Sequence, residues 1–313
     1  MDYEISNEKR GLFGKLLDLL KEFNRVCEEN DIKYFVFAGT MLGAIRHKGF
    51  IPWDDDVDVI VPRADYDKLK RIAEGNVFKE PYFFQSPSTD KGYPKGFCRL
   101  RNSDTTGLPY DDVAMKCNRG IFLDIFPLDI LPDDEKEKRK QIKKLHNTRL
   151  LMNSFARYYS GFGTMGTTRT KAVAYYLTLP LFKFGLLSMN KLFQKYERVA
   201  SRYKDSNGKY AGSIAFSFEN PRFIFERKWW ESKVVMVDFE DIKVPVPEDY
   251  DTLLKHSYGD YMTPVQEPTN HGTLLYSIDT PYDEFIKRHF DELKAGWYKQ
   301  TEMGRKQQTQ YNL

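Results

Sequence analysis

The chain has 313 residues, with 48 Lys and Arg against 45 Asp and Glu, for a net charge of +3. That balance argues against a dedicated nucleic-acid binder, and an aromatic content of 15% argues against disorder. The length suffices to bury a large core, as one domain or as a domain with a substantial insertion. Cys27, Cys98 and Cys117 form no CxxC pair and read as buried, reduced thiols of a cytosolic protein. The start, MDYEISNEKRG, is charged and lacks the apolar run of a secretory signal.

In chain order, Leu12, Leu16, Leu19, Phe23 and Val26 recur at helical spacing and predict an amphipathic helix, ended by a turn at Asn30-Asp31. Residues 32–37 read as a strand. Gly39-Thr40 breaks it, and TMLGAIR reads as a short helix stopped near Gly49. Strand, Gly-Thr turn and helix can aim backbone N–H groups at a phosphate, although a plain strand-to-helix turn is spelled the same way. A basic patch follows at Arg46, His47 and Lys48, and then come Asp54, Asp55, Asp56 and Asp58, leading into Val59, Ile60 and Val61. Carboxylates beside Val and Ile are costly without a positive partner. If residues 56–61 are extended, Asp56 and Asp58 share one face and can chelate a hard divalent cation such as Mg²⁺.

Pro62 ends that strand, residues 64–74 read as a helix and residues 82–85 as a short strand. In a strand over 96–101, Arg99 and Arg101 share a face, suited either to phosphate oxygens or to solvent. GIFLDIFPLD, residues 120–129, places Asp124 among Ile121, Phe122, Leu123, Ile125 and Phe126. A carboxylate there shifts its pKa strongly unless it completes a metal site. Residues 133–149 are dense in charge and predict a solvated helix whose basic half is a minor candidate for acidic lipid headgroups. Residues 172–189 approach membrane length, but Pro180, Lys183 and Gly185 favour a buried helix pair or an interfacial segment over a span. Helices over 150–203, with a Gly/Thr loop at 161–170, read as an inserted subdomain. They either pack in the ordinary way or offer an apolar, basic-flanked surface to a membrane-linked acceptor. Strands follow at 213–218, 234–239 and 242–246, the last ended by Pro245 and Pro247. A helix near 250–256, a turn at 258–264 and a polar tail after Trp297 complete the chain. The expected organisation is a catalytic core over 1–149, a helical insertion over 150–209, a part completing the core over 210–300 and a tail over 301–313.

AGTMLGAIRHKGFIPWDDDVDV, then DIFPLD, then the late YGDYMTP together resemble the LicD family of phosphotransferases, related to fukutin. The resemblance runs through nearly the whole chain and is weakest across 150–209. It implies an α+β nucleotidyltransferase fold like that of DNA polymerase β, a mixed sheet flanked by helices. By position, Gly39-Thr40 corresponds to that fold's glycine turn, with Thr for the usual Ser. Asp56 and Asp58 correspond to its paired acids and Asp124 to its third. The late motif departs from the family pattern, with Thr263-Pro264-Val265-Gln266 where a Pro-rich run is expected, and this leaves any role of His271 open. The family implies Mg²⁺ or Mn²⁺ held by Asp56, Asp58 and Asp124. It implies transfer of a phospho-alcohol, typically phosphocholine, from CDP-choline or another CDP-alcohol. The acceptor would be a hydroxyl of a lipopolysaccharide, teichoic acid or capsule-type glycan, or its lipid-linked precursor. Gly39, Thr40, Arg46, His47, Lys48, Arg99 and Arg101 are then candidates for holding the donor phosphates, and Asp124 for the general base. The location implied is cytoplasmic or peripheral on the inner face of a membrane. Two alternatives stay open: attack at the α-phosphorus of a nucleoside triphosphate, and a catalytically silent glycan-binding protein on the same scaffold.

Overall fold

The computed structural model describes residues 5–109, 112, 115–161, 163–164, 168–213, 220–265, 274–289 and 291–293. The expected strand over 213–218, after its first residue, lies outside these residues, as do Gln266, His271 and the tail.

The first half runs α1 (Asn7–Glu29), β1 (Phe35–Val36), α2 (Ala38–His47), β2 (Asp58–Pro62), α3 (Arg63–Ala73), β3 (Tyr82–Gln85), β4 (Cys98–Asn102), β5 (Thr106–Pro109) and β6 (Ile121–Leu131). A helical group follows: α4 (Glu135–Ser160), α5 (Arg169–Lys183) and α6 (Met189–Ala200). The remainder holds β7 (Tyr210–Gly212), β8 (Ile224–Glu226), α7 (Arg227–Trp230), β9 (Val234–Phe239), β10 (Ile242–Pro247), α8 (Tyr250–Tyr258) and β11 (Leu274–Ser277).

The main sheet is mixed, in the order β1-β2-β6-β4-β3, with β7 added to the end of β6 and β8 to β7. Only the β2–β6 pair within it is parallel. The architecture is therefore α+β. β6 is the central strand. Residues 124–128 pair with β2 on one side and 121–125 with β4 on the other, and the last three residues pair with β7. Pro127 is tolerated inside it for a specific reason. The Asp124 N–H donates toward β2, to Val57 O, at 2.8 Å. An N–H at residue 127 would therefore point to the other side, where the β4 ladder has ended at the Cys98–Ile125 pair.

The two faces of this sheet differ in chemistry. Val59, Leu100, Leu123 and Ile125 are fully buried on one face, and Cys98 there accepts a hydrogen bond from Tyr66 of α3. The other face carries Asp58, Arg99, Arg101 and Asp124. α1 forms as its spacing predicts: Ser6 accepts from the Lys9 N–H as its cap, and Leu12, Leu16, Leu19, Phe23 and Val26 are buried.

α4 to α6 have a core of their own, built from Leu145, Met152, Phe155, Phe182, Leu192, Phe193 and Tyr196, which Leu131 of β6 joins. α4 begins at Glu135 and runs through the expected boundary at 149/150. A buried ion network ties this layer to the sheet. Arg63 of α3 makes a two-pronged pair with Asp129 of β6, both contacts 2.6 Å, and reaches Glu197 of α6 at 3.0 Å, where Lys70 also bonds. Residues 172–189 divide between α5, a turn and the start of α6, and among the described residues no helix is long and apolar enough to cross a membrane.

Two expectations shift. The strand expected over 32–37 shortens to Phe35–Val36. Pro245 and Pro247 do not end the last strand but lie within β10, which pairs only with β9 and so tolerates missing N–H donors.

Candidate active site

The site is assembled at the β1–α2 junction, the loop before β2 and the middle of β6. After β1 the backbone turns sharply at Ala38, which adopts a left-handed φ of 47°. Gly39 contributes by what it lacks: a Cβ there would lie 2.6 Å from Asp54 Oδ2. The Asp54 carboxylate therefore sits against the first turn of α2, where unpaired N–H groups and the helix dipole favour negative charge. Thr40 is buried, and its hydroxyl oxygen accepts from the Asp58 N–H at 2.9 Å. The Phe37 N–H donates to Asp58 O at 2.9 Å. These bonds hold the start of β2 against α2.

β2 begins at Asp58, two residues later than an extended 56–61 segment implies. Asp56 thus stands in the loop, and Asp54 returns to it through a turn closed by its own N–H on Ile51 O at 2.9 Å. One carboxylate oxygen each from Asp54, Asp55 and Asp56 lies within 4.8 Å of the others. Asp58 and Asp124 face each other across the β2–β6 pair as direct neighbours in register. Neither is part of the tight group, and Arg99 holds the Asp124 carboxylate. Arg99 Nε contacts Asp124 Oδ1 at 2.5 Å and Nη2 contacts Oδ2 at 3.3 Å.

Electrostatics link all of these acids. Burial raises the pKa of Asp58, and repulsion from Asp56, Asp124 and Asp54 adds to it. Asp54 is raised by burial and by Asp56 and Asp55. Asp124 is raised by burial, with Arg99 opposing and Asp56 reinforcing. Tyr258, at the end of α8, faces the same group: burial raises its pKa, and Asp58, Asp54 and Asp56 raise it further. From α1, Lys9 is lowered by burial while Asp55, Asp54 and Asp56 pull it up. All-oxygen donors, crowded until their pKa values rise, fit a hard divalent cation.

The candidate cations for phosphate are placed unevenly. Arg99 also pairs with Asp112 at 3.1 Å and lies over the Phe122 ring at 3.8 Å. Burial pushes Asp112 upward, but Lys95, Arg99 and Arg101 outweigh it and hold the carboxyl below its usual range. Arg101 is fully buried and donates to Gln85 Oε1 at 2.6 Å and Gly120 O at 2.7 Å, inside the fold. Arg46 donates to Tyr261 O at 2.6 Å and to His47 Nδ1 at 3.3 Å. The His47 pKa is lowered by burial and by Arg46, so its ring is neutral near pH 7. Lys48 closes α2 in a left-handed conformation, φ 56°, and its carbonyl accepts from the Glu240 N–H at 2.8 Å. This basic end of α2 lies seven residues beyond Gly39, about 10 Å along the helix axis.

Asp112 and Tyr258 were not singled out from sequence. Asp112 follows no periodic pattern, and its only signal is the Asp111-Asp112 pair shortly after Pro109. Tyr258 opens the late YGDYMTP motif, which pointed toward the site without naming the side chain.

Residues 31–149 match the family described as LicD/FKTN/FKRP, nucleotidyltransferase domain. The lipopolysaccharide cholinephosphotransferase LicD of Haemophilus influenzae is 26% identical over 255 residues, 79% of this chain and 88% of that protein. An uncharacterized protein of Rickettsia prowazekii is 40% identical over 70 residues, 22% of this chain and 25% of its own. One from Rickettsia typhi is 44% identical over 70 residues, 22% of each chain.

Proposed function

We propose that the chain, whose residues 31–149 match the LicD family, transfers a phospho-alcohol, phosphocholine in the first instance, from a CDP-activated donor to a hydroxyl of a cell-surface glycan such as lipopolysaccharide, releasing CMP. The observation that carries this reading is the convergence of five aspartates at one edge of the β2–β6 pair, on the segment matched to the family. We read the sheet accordingly as the polymerase-β-like nucleotidyltransferase fold, with acids on two adjacent strands.

Asp56 and Asp58 would hold Mg²⁺ or Mn²⁺, with Asp54, Asp55 and Asp124 beside them. Bound there, the cation supplies charge neutralisation for the splitting diphosphate. The chain's own residues do the rest. Gly39 leaves the room in which the Asp54 carboxylate reaches the first turn of α2. Thr40 fixes Asp58 through its backbone. The acceptor hydroxyl oxygen bonds to the phosphorus carrying the alcohol, and the bond from that phosphorus to the CMP oxygen breaks. The hydroxyl proton passes to Asp124, whose raised pKa suits a base. Oδ2 is the receiving atom, since Arg99 holds Oδ1 more closely. Arg46, His47 and Lys48 stand at the far end of α2, within the reach of a nucleotide that extends from the cluster. A donor made from CTP places the reaction in the cytoplasm, in contact with the inner face of a membrane where the glycan is lipid-linked.

The test is CMP release from a panel of CDP-alcohols with Mg²⁺, with and without lipopolysaccharide-type acceptors. CMP from CDP-choline in the presence of acceptor is the expected outcome. Asp56→Asn and Asp58→Asn should each lower the rate about 100-fold or more. Pyrophosphate released from CTP, with no CMP from any CDP-alcohol, would move the reaction to the α-phosphorus of a nucleoside triphosphate. Full turnover in both variants would sink the metal reading.

A further inference from the structure

α5 presents an apolar face to solvent. Val173, Tyr176, Leu177 and Leu181 are exposed along it, and Phe184 lies just past its end. Their spacing puts them on one side of the helix. Leu177 is 73% exposed and Phe184 80%. The opposite side is the one that packs: Phe182 meets Phe155 at 5.3 Å and Tyr158 at 5.8 Å between ring centroids, both on α4. The outward residues are thus not needed to hold α5 in place. Leu186 continues the apolar surface beyond the helix, at 59% exposure.

The second observation is charge. The 59 residues from Lys138 to Tyr196 contain twelve Lys and Arg and no Asp or Glu, while all 45 acids of the chain lie elsewhere. In a chain of net charge +3, the helical layer alone is strongly cationic. Lys171 and Lys183 stand exposed near the two ends of α5, beside the apolar stripe rather than on it.

We propose that the outer face of α5, with Phe184 and Leu186, docks on an anionic lipid surface. Apolar side chains enter the interface, Tyr176 and Phe184 sit at headgroup level, and Lys171 and Lys183 reach the anionic headgroups over their aliphatic stems. A protein partner or a second copy could cover an apolar stripe, but a stretch of this length without one acid is complementary to a surface of uniform negative charge. The proposal is separate from the catalytic reading and is measured without turnover.

The experiment is co-sedimentation of the full chain with vesicles of phosphatidylcholine alone or with about one-third phosphatidylglycerol, at low and high salt. The expected result is binding to the anionic vesicles, weakened by salt, and little binding to neutral ones. Leu177→Glu combined with Phe184→Glu, and separately Lys171→Glu combined with Lys183→Glu, should each reduce bound protein about tenfold. All four side chains are exposed, and unchanged circular dichroism and thermal midpoints confirm that the variants fold. Four outcomes overturn the proposal: no binding to anionic vesicles, equal binding to neutral ones, variants that bind like the parent, or a dimer that the Leu177/Phe184 variant dissociates without any vesicle binding.

Discussion

At Gly39 the important property is an absent atom. A Cβ would meet Asp54 Oδ2 at 2.6 Å, while the first turn of α2 itself accepts alanine. Gly39→Ala should therefore leave the thermal midpoint nearly unchanged and displace one carboxylate. The half-saturating Mg²⁺ concentration for CMP release should rise about tenfold. Thr40 acts differently, through the buried Asp58 N–H that its hydroxyl satisfies. Thr40→Val should cost about 1–3 kcal/mol in urea unfolding, and Thr40→Ser should restore most of it. Sequence alternation favoured Asp56 and Asp58 because it began the strand at 56. The strand starts at Asp58, and a turn at Ile51 brings Asp54 into the same cluster. Turn geometry of that kind leaves no period in the sequence. The nearness of Asp58 to Asp124 was implied by the family resemblance, but the grip of Arg99 on Asp124 was not legible, because a strand pattern shows which face a residue takes and not what it meets there.

At the scale of elements, the pair between Arg63 and Asp129 joins α3 to β6, and through Glu197 and Lys70 it reaches α6. Both partners of the pair are almost wholly buried. Asp129→Asn removes the two-pronged partner of a buried guanidinium, leaving Glu197 to share it with Lys70, and should lower unfolding free energy by about 3 kcal/mol. Arg63→Met combined with Asp129→Leu removes both charges and should recover most of that loss, as read in the same urea titration. Proline usually ends a strand, so nothing in the sequence signals that Asp129, two residues past Pro127, lies in one. Here β6 continues to Leu131, since the missing N–H falls where β4 has stopped. The long periodic helices were readable for the opposite reason. Five apolar positions at helical spacing specify α1 without help from its neighbours, and α8 and α3 likewise form close to their expected limits. β5 and β11, which pair with each other across more than 160 residues of chain, carry no local signal strong enough to announce them.

Over the whole molecule, stability at high pH is set in part by thiols. Cys98 and Cys117 are buried, and burial is the main cause that pushes each up to about 12 from an ordinary value of 9.0. Between these limits the unfolded chain ionises its thiols and the folded chain does not, so the unfolded state binds fewer protons. Their contribution is intact below pH 9.0 and is lost as pH rises toward about 12, at about 1.4 kcal/mol per pH unit for each thiol. Urea titrations at pH 8, 9 and 10 would read the decline about an hour after mixing, and Cys98→Ala should make it shallower while Cys117 keeps its share. The same burial should keep both cysteines unreactive to iodoacetamide until the protein unfolds. The position of β6, bonded to β4 over 121–125 and to β2 over 124–128, has a further consequence for time. Amide hydrogens there should exchange with deuterium only when the whole sheet opens, whereas those of the loop at 51–57 should exchange through small local openings. The backbone that carries Asp124 should then open only with the sheet. Asp54, Asp55 and Asp56 stand in the loop expected to open locally, so a donor entering the cluster should meet two acids held in the sheet, Asp58 and Asp124, and three that can settle around them.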